Sequence, residues 1–386
     1  MRDGVVRRGE TWTYVIRSRD RATGRSRPRW VGGFSTEAAA KAARDEARVA
    51  MRRGIFVDRS STTVAAFLRE WLQSHSVAVK ATTLAGYERD LEIYVIPRIG
   101  GLNMQSVRAA TVSGLYRELL TSGGRHGRPL SPVTVDHVHR VLRKAFNDAV
   151  DVEELLSSNP VARATRPKAP TREPFNLWTG EQLDGFLGAA ARHRLGAFFR
   201  LAAYTGARRG ELIGMRWEQI DFDSGELIIL GSTSTVHGVR IAGTPKSGRS
   251  RVIGLDTVTL DVLRQHMANQ DAERLAARNW WQDSGENLVF RTADGRPVHT
   301  DTPTALMPKL ISLAGVPHAR LHDLRHLHAS TLLLANVPAH VVSERLGHAD
   351  PTVTLRVYAH TSRESGQGLA DIFAAAMSGS SERARS

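Results

Sequence analysis

Three short strings in this chain hold the residue types that a metal-free attack on a phosphodiester requires. T-G-A-R-R-G-E-L, from Thr205 to Leu212, offers Arg208 and Glu211. L-H-D-L-R-H, from Leu321 to His326, offers His322, Arg325 and His326. L-G-H-A-D-P-T-V-T-L-R-V-Y-A-H, from Leu346 to His360, offers His348 and Tyr358. Phosphoryl transfer needs charge offset at the non-bridging oxygens, an activated nucleophile and a proton for the leaving oxygen. Arginine supplies the first, because its planar fork matches two phosphate oxygens and stays charged. A phenol, with an ordinary pKa of about 10, becomes a nucleophile when nearby cations lower that pKa or an imidazole takes its proton.

Each string also has a plainer reading. Arg208 follows a Thr-Gly turn where a helix would start, and backbone N–H groups there add positive potential. Alone, Arg208 and Glu211 would read as a surface i,i+3 pair. His322, Arg325 and His326 share one helical face by their spacing. They could equally be satisfied core histidines, or zinc ligands, although no carboxylates at metal spacing accompany them. His348 follows Gly347 in a tight turn. Asp350 and Pro351 then read as cap and first residue of a helix that carries Tyr358 about two turns in. A lone tyrosine there would ordinarily be a core or surface residue.

Other routes to the same chemistry are missing from the sequence. It has no P-loop and no H-E-x-x-H, and G-T-P-K-S near Gly243 does not fit the P-loop pattern. Cysteine is absent, which excludes disulfides, a thiolate nucleophile and cysteine-based zinc sites. No metal and no cofactor is expected. No run of about 18 apolar residues is present to span a membrane. The opening M-R-D-G-V-V-R-R-G-E does not read as a secretory signal, so a cytoplasmic location, at a bacterial host's nucleoid, is expected.

These strings need elements to position them, and 386 residues with 41% hydrophobic content suffice for two or three domains. The formal charge is +14, and residues 1–60 alone hold 15 Lys+Arg against 7 Asp+Glu. That excess favours a polyanionic partner such as nucleic acid, with a solubilising arm as the alternative. Residues 1–58 read as a three-stranded sheet plus helix. Thr11–Arg17 and Arg29–Phe34 are strands, and Ser35 caps a helix that stops at Gly54. Arg17, Arg19, Arg25, Arg27 and Arg29 lie on and around those strands, where they could contact DNA phosphates.

Residues 61–158 read as all-helical. Val64, Phe67, Leu68, Trp71 and Leu72 make one helical face. Thr82 or Thr83 can cap a second helix. Ser131 and Pro132 open a long one bearing Val135, Val138, Leu142, Ala145 and Phe146. Lys80, Arg140, Arg143 and Lys144 are candidate phosphate contacts on its outside. Residues 159–174 form an extended, basic, proline-rich linker. A capping box at Thr179 opens the third domain, 175–378. There Glu226–Leu230 and Ser250–Leu255 are strands flanking a Gly/Thr-rich loop. Leu369, Ile372, Phe373 and Met377 form an apolar stripe that could dock in cis or on a neighbour. Residues 379–386 read as a disordered tail.

Taken together and in this order, the strings resemble the tyrosine recombinase (phage integrase) family over essentially the whole chain. T-G-x-R-x-x-E matches its first-arginine box, H-x-L-R-H its second, and L-G-H followed by tyrosine ten residues later its nucleophile segment. The resemblance implies Arg208, Lys246, His322, Arg325, His348 and Tyr358 as catalytic residues, with Glu211 and His326 in support. Lys246, the only lysine between Arg208 and Lys309, stands where the family carries its catalytic lysine. The resemblance further implies a mainly α, multidomain fold. An N-terminal arm-type DNA-binding module would precede a SAM-like core-binding domain and a mixed α+β catalytic domain. It implies double-stranded attachment-site DNA as partner, a homotetramer on that DNA, and accessory directionality and DNA-bending proteins. It implies cleavage and rejoining through a 3′-phosphotyrosyl bond. A type IB topoisomerase, with the same chemistry but no synapsis, and a non-catalytic DNA-binding regulator are the alternatives.

Overall fold

Two units of the chain, Met1–Thr171 and Arg172–Ser386, each fold around their own contacts, and the boundary falls inside the expected linker. The structure, a computed structural model, describes residues 4–19, 26–53, 56–168, 177–244, 250–283 and 285–348.

The first unit opens with an antiparallel sheet of β1 (Val5–Arg8), β2 (Thr11–Arg19) and β3 (Ser26–Phe34), in that order. Strand alternation sends Tyr14 and Ile16 of β2 into a small core with Ala47 of α1 (Glu37–Arg52). The cap of α1 is Thr36, not Ser35: the Thr36 hydroxyl accepts from Ala39 N at 3.2 Å. Thr36 is the residue directly before the first helical position, which is where a hydroxyl reaches that amide.

The helical part of the unit holds α2 (Val64–His75), α3 (Ala81–Asp90), α4 (Ile96–Ile99), α5 (Ala109–Ser122) and α6 (Pro132–Asp151). The α2 face is buried at all five expected positions, and so is that of α6. Ser131 caps α6 by accepting from Thr134 N at 3.2 Å, ahead of Pro132. α3 departs from expectation. Its helix-opening carbonyl is that of Lys80, which accepts from Thr83 N and Leu84 N. Thr82 and Thr83 therefore lie in the first turn and cap nothing. A π turn, Leu91–Val95, carries α3 into α4.

In the second unit Thr179 and Gln182 form the expected reciprocal cap of α7 (Gly180–Ala191). α8 (Gly196–Thr205) and the short α9 (Arg209–Ile213) follow. β4 (Ile220–Asp221) and β5 (Glu226–Ile229) then begin a small sheet. A hairpin that the sequence reading lacks intervenes, β6 (Ser232–Val236) and β7 (Val239–Gly243). Its two-residue turn is His237-Gly238, both at positive φ (49° and 78°), the geometry that closes tight hairpins. Both strands are largely half-exposed, β6 is mostly Ser and Thr and β7 is broken by Arg240, so no apolar run announces them. β8 (Arg251–Gly254) returns to pair with β5.

α10 (Thr257–Ala277), α11 (Thr302–Ala314), α12 (Leu321–Leu334) and α13 (Ala339–Leu346) complete the described part. The core is aromatic: Phe186, Phe199, Phe198 and Phe290 form an edge-to-face chain with centroids 5.3–5.5 Å apart. Among the described residues, no helix is long and apolar enough to cross a membrane.

Candidate active site

Two helix C-termini build the site. A helix ends with carbonyls that have no partner of their own and with partial negative charge. α8 ends at Gly206 and α13 at Gly347, both left-handed, at φ 62° and 64°. At α13 the Gly347 N–H bonds to the Glu344 carbonyl and the His348 N–H to that of Ser343, which is a Schellman closure. The next three carbonyls are left over, and three guanidiniums take them. Arg251 Nε donates to Arg345 O at 2.8 Å, Arg325 Nη2 to Leu346 O at 2.7 Å and Arg208 Nη2 to Gly347 O at 2.9 Å.

The α8 terminus is used in the same way. Arg325 Nη1 donates to Gly206 O at 2.6 Å, and Arg345 Nη2 to Tyr204 O at 3.2 Å. His328 Nδ1 pairs with Ala203 O at 3.0 Å. Gly206 has a second reason to be glycine: a Cβ there would stand 2.5 Å from Leu346 Cδ2. The T-G of the first string and the L-G of the third are thus packed against each other.

Arg208 stands at the N-cap of α9, as the sequence reading expects. Glu211 turns back on it, accepting from Arg208 N at 2.8 Å and from Nη1 at 2.9 Å. The surface-pair reading fails, since Glu211 is 3% exposed. Burial pushes its carboxyl up, but bonds and charge from Arg251 and Arg208 outweigh this and hold it below the ordinary value.

Arg325 is 4% exposed on α12. Burial, with the Arg208 and Arg251 charges, presses it down to about 9, against the pull of Glu211; it is a cation at neutral pH. His322 lies on the same helix, with its ring centroid 4.9 Å from that of His326. Burial, His326, Arg325 and Arg208 drive His322 down to about 4, although its imidazole reaches solvent, where water screens part of the push. His348 is held down to about 4 by burial and then by Arg325, Arg208 and His322. Both imidazoles are neutral at neutral pH. The arrangement is a cluster of cations whose mutual repulsion an anion would relieve.

The structure therefore brings together Arg208, Glu211, His322, Arg325, His326 and His348. Lys246, Tyr358 and the 369–377 stripe lie outside the described residues. The site also contains two arginines that the strings do not name, Arg251 and Arg345. A signal for Arg251 was in the sequence: in R-V-I-G it alternates in phase with the buried Ile253, so it faces inward.

The candidate DNA contacts are scattered. Arg17 is exposed on the sheet face away from α1. Arg19 and Arg27 lie in β2 and β3, and Arg25 is outside the described residues. Arg29, opposite Ile16, pairs with Asp58. Lys80 precedes α3, Arg143 is exposed on α6, Arg140 is bound by Asp136, and Lys144 lies 3.4 Å from Asp148.

Residues 178–365 match the phage integrase family. A tyrosine recombinase XerC-like protein of Caldanaerobacter subterraneus subsp. tengcongensis is 27% identical over 343 residues, 84% of this chain and 86% of that protein. An integrase of Streptomyces ambofaciens is 27% identical over 312 residues, 79% and 78% of the two chains. The Tn1549 transposon integrase, solved with a circular intermediate DNA, has a TM-score of 0.67 at 20% identity, covering 81% of this chain and 99% of that one. The lambda integrase tetramer bound to a Holliday junction gives a TM-score of 0.55 at 18% identity, covering 92% and 94%. These structural likenesses establish a shared, mainly helical fold with small sheets. With the arginine boxes joined across two helix ends and sequence relatives matched over most of their length, residues 178–365 belong to the phage integrase family of tyrosine recombinases.

Proposed function

We propose that this chain is a site-specific DNA recombinase that cleaves and rejoins attachment-site DNA, integrating or excising a phage or mobile element. The Tyr358 hydroxyl oxygen attacks the scissile phosphorus. A P–O bond to Tyr358 forms at the DNA 3′ end, and the bond to the 5′ oxygen breaks. Arg208 and Arg325 hold the non-bridging oxygens through the negative charge of the pentacoordinate state. His322, neutral at working pH, takes the phenolic proton. Lys246 gives a proton to the departing 5′ oxygen, and His348 hydrogen-bonds the phosphate. The phosphotyrosyl bond keeps the phosphodiester's energy, so rejoining is the same exchange run backwards and needs no ATP.

The sheet and α1 serve as an arm-type DNA-binding module, residues 61–158 as a SAM-like core-binding domain and residues 175–378 as the catalytic domain. On its outer face the sheet offers Arg17 and the half-exposed Trp30, with the Arg8 guanidinium 4.3 Å from the ring centroid. Strand exchange takes place in a homotetramer on two duplexes, with accessory directionality and DNA-bending proteins setting the outcome, in the bacterial cytoplasm.

The observation that carries this reading is the convergence of Arg208 and Arg325 on the end of α13, beside His322 and His348, directly before the segment that holds Tyr358. The test is a suicide-nicked duplex bearing the element's attachment core. The wild-type protein should accumulate a covalent DNA adduct and Tyr358→Phe none. An adduct formed by Tyr358→Phe would overturn the assignment.

A further inference from the structure

We infer that Arg251, which neither arginine box contains, is a positioning residue for the cleavage step: it clamps Glu211 and so fixes where the Arg208 guanidinium points. The inference rests on the recombinase reading above and adds a residue to it.

Arg251 is 9% exposed, deep for a permanent cation. All three of its nitrogens are engaged. Nη1 donates to Glu211 Oε1 at 3.1 Å, Nη2 to Glu211 Oε2 at 2.6 Å and Nε to Arg345 O at 2.8 Å. A guanidinium used up in this way is not placed to hold a phosphate. What it holds is a carboxylate, in a bidentate fork. Each Glu211 oxygen then takes one more bond, and both come from Arg208: Oε1 from Nη1 and Oε2 from the backbone N–H. Glu211 thus sits between two arginines, with Arg208 on the open side, its side chain 22% exposed, and Arg251 on the closed side.

The clamp also reaches the third string. A Cβ on Gly347 would come within 2.9 Å of Arg251 Nη1, and the Gly347 carbonyl is the second anchor of Arg208. Arg251 therefore borders both supports of Arg208, the carboxylate and the turn. Without it, Glu211 keeps its charge but loses the fork that sets its plane. Arg208 is then free to swing with it. Lysine at 251 would restore a cation and not the fork.

The test uses the full-length protein, with single-turnover adduct formation on the suicide-nicked attachment duplex at saturating DNA. Arg251→Gln should lower the first-order rate by roughly 100-fold, with DNA affinity unchanged. Arg251→Lys should lie between this variant and wild type. A second duplex carries a methylphosphonate at the scissile position. It lacks one anionic non-bridging oxygen and so asks less of Arg208. On it the deficits of Arg251→Gln and Arg208→Ala should both shrink by at least about tenfold.

Glu211→Gln combined with Arg251→Gln, which removes both sides of the fork together, should cost no more than the worse single change. Equal deficits on both duplexes, a loss confined to affinity, or a wild-type rate in Arg251→Lys would each overturn the inference. If Arg251→Gln does not fold, the Lys variant and the double variant decide by the same criteria. Failure of the wild-type protein to form any adduct would instead strike the recombinase reading itself.

Discussion

Arg208 donates from Nη2 to the main-chain carbonyl of Gly347 at 2.9 Å, across 139 positions of sequence. The contact joins the first-arginine box to the L-G-H turn by a backbone group, so it depends on the shape of the turn and not on a side chain. Gly347 holds that shape at φ 64°. Gly347→Ala should cost about 1–2 kcal/mol for the left-handed backbone alone, read as a lower Tm. Its Cβ also presses on Arg251. Adduct formation at saturating DNA should therefore fall by roughly 10- to 100-fold. Gly347→Asn should recover much of the Tm, since asparagine tolerates this conformation, but not the rate. Recovery of both would show that only backbone strain mattered.

The histidines make a pH prediction displaced towards acid from that of an ordinary surface imidazole. His322 and His348 are held down to about 4 from 6.5. A base that is neutral down to that range keeps working as the pH drops. The single-turnover cleavage rate should hold through pH 6.5 and decline only on approach to pH 4. A break near pH 6.5 that His322→Gln removes would contradict this. Stability follows the same groups. Below pH 6.5 the unfolded chain takes up protons that folded His322, His328 and His348 refuse. Their contribution to stability is complete above 6.5 and is lost as the pH falls from there towards 4.

Much of this site could be read from the sequence because its residues sit at helix ends, where local rules are strong. The spacing of His322, Arg325 and His326 fixes a shared face, and Thr-Gly before Arg208 marks one helix end and the next beginning. The Thr179 box and the Ser131-Pro132 pair were legible for the same reason. What the strings do not contain is anything set by tertiary contact. Arg251 reaches Glu211 only because β8 pairs with β5, with Arg251 opposite Ile229. The β6–β7 hairpin was hidden because its turn, His237-Gly238, lacks the usual Asn-Gly or Asp-Gly signature. The cap of α3 misled because two threonines stood where a cap would be, while the chain had already turned at Lys80.

Basic residues on the N-terminal sheet should act through phosphate contacts. The exposed Arg8 and Arg17 share the face of Trp30, away from the helix. Replacing either by alanine should weaken DNA binding about equally for all sequences and reduce the slope of log K against log salt by about 1. The adduct rate of the bound complex should not change. Titrations of arm-site and scrambled duplexes at several salt concentrations measure this. A loss confined to one sequence would mean base reading instead.

The linker is tied down at its start, and one buried carboxylate takes part. Asp136 on α6 is 3% exposed and binds both Arg140 and Arg166, the latter from the expected linker. Thr165 N donates to Ser113 Oγ at 3.0 Å and Asn159 Nδ2 to Arg143 O at 2.9 Å, so residues 159–166 are fastened to α5 and α6. Asp136→Asn keeps the shape and removes the charge. It should cost roughly 1.5–3 kcal/mol, the scale of a hydrogen bond to a charged group, and speed tryptic cleavage after Arg163 and Lys168. The Arg166 hydrogen bond is the main cause that holds the Asp136 carboxyl below its ordinary 3.8. The charge contribution is thus fully present above pH 3.8 and is lost as the pH falls through the folded value. Melting curves of wild type and Asp136→Asn should accordingly converge in acid. A gap that persists there would place the effect in packing around Tyr116 and His139, whose buried 3.0 Å hydrogen bond lies on the same helices, and not in the ion pair.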